Sequence, residues 1–158
     1  MKDGEARIRQ ITSGEVMHPS IQPWEESLEL YVKQSRLIER LQLHFSAESR
    51  NSFVIWDVGL GAATNAMATL TTARSFFNQF PLKSRRKAVL QIYSFENDLD
   101  SLRLALENVE SFPHLRDPAP ANLLENGFSY GSSEQVRWDL VFGDFMKTMR
   151  DVPQPDLI

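Results

Sequence analysis

The stretch Phe53-Val54-Ile55-Trp56-Asp57-Val58-Gly59-Leu60-Gly61 constrains what this chain can fold into more than any other. Its apolar, β-branched and aromatic run reads as a strand buried on both faces, the kind found inside a parallel sheet. Two glycines end the run abruptly. Ala63, Ala66, Met67, Leu70, Ala73, Phe77 and Phe80 then recur at helical spacing. Glycines between a strand and a helix let the backbone turn tightly and approach a ligand closely. The helix start adds unpaired N–H groups and a positive dipole end. The same turn also occurs with no ligand, so the rest of the chain has to decide between the two.

The remainder alternates in the same way. Residues 1–22 read as an N-terminal extension or hairpin, in which Arg7–Thr12 alternates apolar and polar and Ser13-Gly14 marks a turn. Residues 23–158 read as one domain. Pro23, suited to a first helical position, and the carboxylates Glu25 and Glu26 open a helix expected over Trp24–Leu43. Its stripe would be Leu28, Tyr31, Ser35, Ile38 and Gln42, widened by Val32 and Leu41. Ala88–Phe95 reads as a second buried strand ending at Glu96. Asn97 or Asp98 would cap a third helix carrying Leu99, Leu102, Leu106 and Val109 on its apolar face. Asp117–Ala121 reads as a proline-rich connector, and Ala121–Asn126 as a helical turn before Gly127. Val136–Phe142 is a third strand and Phe145–Arg150 a short helix. Pro155–Ile158 looks like a strand just beginning. Alternation of this kind implies an α/β fold: a mostly parallel, Rossmann-like sheet flanked by helices, with right-handed crossovers.

Composition narrows the function. With 158 residues the chain suits one domain with a sizeable core. It has no cysteine, which removes disulfides, thiolate catalysis and cysteine-ligated zinc, and fits a reducing cytoplasm. No metal site is expected. No apolar run is long enough for a membrane span, and MKDGEARIRQ lacks the apolar segment of a secretory signal. A net charge of −4 argues against a protein devoted to gripping nucleic acid, although a local patch can still touch RNA.

Three strand ends in succession carry an acid: Asp57, Glu96 and Asp144. A carboxylate at the end of an apolar strand is costly without a partner. In open parallel sheets, ligands bind at the carboxyl ends of the strands. Glu96 is placed to accept from ribose hydroxyls. Asp144 can accept from an adenine amino group with Phe145 stacking on the ring, or it can serve as a plain helix N-cap. The dinucleotide fingerprint fails because Thr64 takes its sixth place and Glu96 lies too far on for its ribose acid. A phosphate-binding G-K-[ST] loop is absent. Asp57-Val58-Gly59-Leu60-Gly61-Ala62-Ala63 looks instead like the acid-x-Gly-x-Gly-x-Gly motif of S-adenosylmethionine-dependent methyltransferases, with Ala63 in the third glycine place.

More specifically, Ser13-Gly14-Glu15-Val16-Met17-His18, Pro23-Trp24-Glu25-Glu26-Ser27 and Asp57–Asn65 together resemble the MnmC-type methyltransferases. These include the methyltransferase half of the enzyme that completes 5-methylaminomethyl-2-thiouridine in tRNA. The family loop runs Gly-Phe-Gly-Thr-Gly-Leu-Asn. This chain keeps Gly59, Gly61 and Asn65 and has Leu60, Ala62, Ala63 and Thr64 in the other places. The resemblance implies S-adenosyl-L-methionine as cofactor and transfer of its methyl group to an aminomethyl group on a modified wobble uridine. The cofactor-binding set is then Glu15, Asp57, Gly59, Leu60, Gly61, Asn65, Glu96, Asn97, Asp144 and Phe145, with Glu96 on the ribose and Asp144 on the adenine side. In that family the strand that begins like Pro155–Ile158 ends in an aspartate and a substrate-facing loop. The catalytic base is accordingly expected beyond Ile158, and the domain is expected to be incomplete at its C-terminus.

Two readings compete with this one. The chain is a non-catalytic cofactor-binding or interaction module, or it is an NAD-dependent oxidoreductase, which Thr64 disfavours. The basic loop holding Lys83, Arg85, Arg86 and Lys87 is either a solvated turn or a contact for tRNA phosphates. Strand edges left bare would favour self-association into a homo-oligomer. His18 is the one histidine to watch. His44 and His114 suggest nothing, and Trp24, Tyr31, Phe76, Phe77 and Phe80 read as core or interface.

Overall fold

The computed structural model describes residues 23–46, 52–79, 89–130 and 135–158. The proposed N-terminal extension, with Glu15 and His18, and the basic loop, with Lys83, Arg85, Arg86 and Lys87, lie outside them. Three strands, β1 (Phe53–Val58), β2 (Leu90–Glu96) and β4 (Val136–Phe142), run parallel. With a short β3 (Phe128–Tyr130) they form a sheet in the order β1-β2-β4-β3. In register, Val58 stands beside Phe95, and Glu96 beside Phe142. The carboxyl ends of β1, β2 and β4 are therefore neighbours in space as well as successive in sequence. Beyond β1 the chain returns: Leu157 makes a parallel bridge to Ile55, and Trp56 N–H donates to the Leu157 carbonyl at 2.9 Å. Pro155–Ile158 thus reaches the sheet on the side of β1 away from β2.

The long buried runs form the sheet because both faces of β1 and β2 are covered. One face packs on α3 (Thr64–Asn78), α4 (Asp100–Glu107) and α5 (Pro118–Asn126). Its core holds Phe53, Ile55, Met67, Leu70, Phe77 and Trp138. On the other face, Val54, Trp56 and Phe95 meet Phe145, Met149 and Val152. Phe145 opens α6 (Phe145–Thr148), and a tighter turn over Met149–Asp151 follows. The architecture is α/β, a mostly parallel sheet flanked by helices.

Four local expectations are corrected. The helix expected over Trp24–Leu43 is interrupted. It starts as α1 (Pro23–Ser27), continues as a wider π-helical stretch over Leu28–Gln34, and stops at Arg36. There φ is +55°, and α2 (Leu37–Ser46) begins afresh. Widening the turn moves the buried face, so Ser27, Leu37 and Leu41 are fully buried while Tyr31 is 40% exposed and Gln42 is exposed. The third helix starts at Asp100, not beside Asn97: the Asp98 carboxylate accepts from Asp100 N–H at 2.8 Å. The connector Asp117–Ala121 is instead the first turn of α5. Asp117 caps Ala119 N–H at 2.8 Å and Pro118 occupies the first helical position. Strand β3 was not expected; only three residues long, it runs antiparallel to β4.

Candidate functional site

The glycine bend has the backbone that its sequence requires. Gly59 and Gly61 take φ of +86° and +52°, and Ala63 takes +61° despite its methyl group. Ala63 is where the family pattern places a third glycine, and its carbonyl receives the first helical hydrogen bond of α3, from Met67 N–H at 2.9 Å. Among the described residues, a side chain added at Gly59 would meet no atom within 4 Å, which leaves room at this position at the end of β1. The Leu60 side chain turns away into the core, 4% exposed. Any ligand contact at Leu60 is therefore left to its backbone.

Glu96 crosses to this bend. Its Oε2 accepts from Gly61 N–H at 3.0 Å, and its Oε1 accepts from Asn97 and Asp98 N–H at 2.9 and 3.2 Å. Two backbone bonds tie the neighbouring strand ends together: Gly59 N–H to the Phe95 carbonyl at 3.0 Å, and Gly143 N–H to the Glu96 carbonyl at 2.8 Å. Strands lie about 4.8 Å apart, so the ends of β1, β2 and β4 span roughly 10 Å. Asp144 sits at the far end, exposed, and its carboxylate makes no capping hydrogen bond to α6. The N-cap alternative for that side chain is thereby set aside. The Phe145 ring is packed edge-on to Phe95 and Trp56, with centroids 4.9 and 5.9 Å away.

Asp57 lies deeper, 9% exposed. Its Oδ2 accepts from the Ser94 hydroxyl at 2.6 Å, and Ser94 Oγ accepts from Trp138 Nε1–H at 2.8 Å. Burial pushes the Asp57 carboxyl up to about 6; the Ser94 hydrogen bond opposes this, and the Glu96 charge adds to it. Beside Asp57 is a cavity of about 120 Å³, walled by Leu30, Tyr31, Ser35, Thr69 and Leu157 among others. The π-helical stretch forms one side of it. Burial raises the Tyr31 hydroxyl above its ordinary value, and the Asp57 charge contributes.

Two residues brace the bend from behind. The fully buried Ser27 has its hydroxyl oxygen 2.7 Å from Asn65 Oδ1 and 2.8 Å from the Pro23 carbonyl. This ties the Pro23–Ser27 segment to the start of α3. His114, which the sequence gave no reason to notice, has Nε2 2.9 Å from the Ala62 carbonyl and stacks on Trp24 with centroids 5.9 Å apart. Its signal lies in tertiary structure alone, since 52 positions separate it from Ala62. Among the described residues, no group of three or more His, Asp or Glu side chains is arranged to hold a metal, and no helix is long and apolar enough to cross a membrane.

The site is thus a row of acids and a glycine bend along the carboxyl ends of parallel strands. The fold is shared with MnmC2 from Aquifex aeolicus. The match to that crystal structure has a TM-score of 0.57 at 21% identity, covering 94% of this chain and 42% of that one. This chain therefore spans less than half the length of MnmC2. The likeness to MnmC2 is one of fold alone, an α/β arrangement with a mostly parallel sheet. No family model matches the sequence, and no curated protein does.

Proposed function

We propose that this chain binds S-adenosyl-L-methionine across the carboxyl ends of β1, β2 and β4 and passes its methyl group to an amine. The acceptor is an aminomethyl group on a modified wobble uridine of tRNA. The observation that carries the reading is the 3.0 Å hydrogen bond from Gly61 N–H to Glu96. Glu96 and the glycine bend meet at one spot, which supports reading them as a ribose acid and a ligand loop, on a fold shared with MnmC2. The residues suit the group. Gly59 leaves open space, Glu96 holds the ribose, the exposed Asp144 carboxylate takes the adenine side with Phe145 at its flank, and Asp57 offers an anion to the cationic methionine end. Glu15, Asn65 and Asn97 complete the set. When bound, the cofactor supplies a methyl group already activated on sulfur, so the protein's own part is chiefly alignment. Lys83, Arg85, Arg86 and Lys87 would meet tRNA phosphates.

Calorimetry with S-adenosylmethionine, S-adenosylhomocysteine and NAD tests the cofactor, and a radiolabelled methyl-transfer assay on undermodified tRNA tests the acceptor. Binding of the first two with labelling of tRNA is the expected result. Binding without transfer supports a cofactor-binding module. Binding of NAD alone would overturn the proposal.

A further inference from the structure

A polar line runs through the core behind the bend, with one residue from each parallel strand. Trp138 on β4 donates to Ser94 on β2, and Ser94 donates to Asp57 on β1, at 2.8 and 2.6 Å. Trp138 and Ser94 are 1% and 0% exposed. An indole N–H can only donate, so the Ser94 oxygen must accept from it, and the single hydroxyl proton is directed at the carboxylate. The direction of the line is therefore fixed: it delivers a donor to Asp57. The neighbours of the line along the three parallel strands on this face are apolar, with Ile55, Leu90, Ile92 and Val136 in the same cluster as Trp138. A hydrogen-bonded polar line in such surroundings holds its members in one geometry.

We propose that Ser94, oriented by Trp138, is a positioning residue of the cofactor site, aiming the Asp57 carboxylate at the cationic end of the ligand. This rests on Asp57 belonging to that site. Few other groups compete for the carboxylate. Among the described residues, Glu96 from β2 and Tyr31 from the π-helical stretch are the ionisable neighbours, while Ala66 and Thr69 of α3 and Leu157 on the opposite side carry no charge. Ser94 supplies the hydrogen bond that favours the charged form against burial and Glu96.

The test follows Asp57 by carboxyl ¹³C NMR titration, assigned with Asp57→Asn, alongside calorimetry with S-adenosylhomocysteine across the same pH range. In Ser94→Ala the Asp57 midpoint is expected to rise by about one unit or more, and the pH at which affinity is lost rises with it. Trp138→Phe should shift both in the same direction by less, and Ser94→Thr, which keeps the hydroxyl, should restore them. A purely structural role would lower the melting temperature and leave the pH at which affinity is lost in place, which would overturn the proposal. If Ser94→Ala fails to fold, Ser94→Cys keeps the volume with a weaker donor and should show the same rise. If the wild type binds no S-adenosylhomocysteine, the cofactor reading falls, and a fixed NMR midpoint in the Ser94 variants would still sink the positioning role by itself.

Discussion

Glu96 and Gly61 are joined directly, carboxylate to backbone N–H, at 3.0 Å. The bond has a consequence for binding. A carboxylate offers about four acceptor positions. Gly61, Asn97 and Asp98 take three of them. One position remains, enough for one ribose hydroxyl and not for two. Gripping both hydroxyls requires Glu96 to release one of these amides, and Gly61, on the bend proposed to meet the ligand, is the one expected to go. The Gly61 amide resonance is therefore expected to move upfield on titration with S-adenosylhomocysteine, as its hydrogen bond is lost. Glu96→Ala should bind the same ligand at least about tenfold more weakly by calorimetry, the order expected for losing one hydrogen bond to a charged acceptor. An unchanged Gly61 signal with full affinity would show that the ligand sits elsewhere.

The strands were legible because a parallel strand buried on both faces leaves a continuous apolar run, and Val136–Phe142 is bounded as read. The bend was legible because its φ values need glycine at positions 59 and 61. What the sequence hid was decided by tertiary structure. The break at Arg36 carries no glycine or proline to mark it. Phe128–Tyr130 is too short for alternation to show. His114 reaches Ala62 only once α3 and the segment after α4 are packed. Asp117-Pro118 did carry a local signal, the same proline logic as at Pro23, yet the second proline of the stretch made it read as a connector.

His114 has a carbonyl as its near partner, so Nε2 must carry the proton in that contact. Removing the ring takes a hydrogen bond from the 8%-exposed Ala62 and a stacking partner from Trp24. His114→Ala is expected to cost about 1–2 kcal/mol in urea unfolding. His114→Asn, which restores an N–H donor, should recover part of it. Equal stability of wild type and His114→Ala would show that the bend does not depend on this contact.

Arg36 holds φ of +55° with its side chain 73% exposed, and its ion pair to Glu39 is a loose 3.8 Å. Left-handed backbone costs a non-glycine residue about 1–2 kcal/mol, and glycine returns roughly 0.5–1 kcal/mol of that as lost chain entropy. Exposed ion pairs contribute little. Arg36→Gly is therefore expected to stabilise the fold by about 0.5–1 kcal/mol, read as a higher urea midpoint with an unchanged slope. A lower midpoint would mean that the Arg36 side chain holds α2 in place through contacts of its own.

Asp57 is likewise a residue that lowers stability where it stands, here at neutral pH. Its folded-state carboxyl is raised from the ordinary 3.8 to about 6, chiefly by burial. Below about pH 4 the group is protonated whether the chain is folded or not, and its stability contribution is fully present. As pH rises, the unfolded chain ionises first, so stability falls until the folded group ionises near 6. The difference of about two units corresponds to roughly 3 kcal/mol at neutral pH, a ceiling before the core relaxes. Asp57→Asn keeps the shape and leaves an oxygen for the Ser94 hydroxyl, but cannot ionise. It should match the wild type near pH 4 and exceed it by about 1–3 kcal/mol near pH 7.5 in urea unfolding. The same variant should lose affinity for S-adenosylhomocysteine, because the anion is gone. A charge that costs stability and is nonetheless held by Ser94 and Trp138 is what a binding site requires and a purely structural core does not. If Asp57→Asn proved less stable at both pH values, the carboxylate would belong to the core and the cofactor reading would lose its deepest anchor.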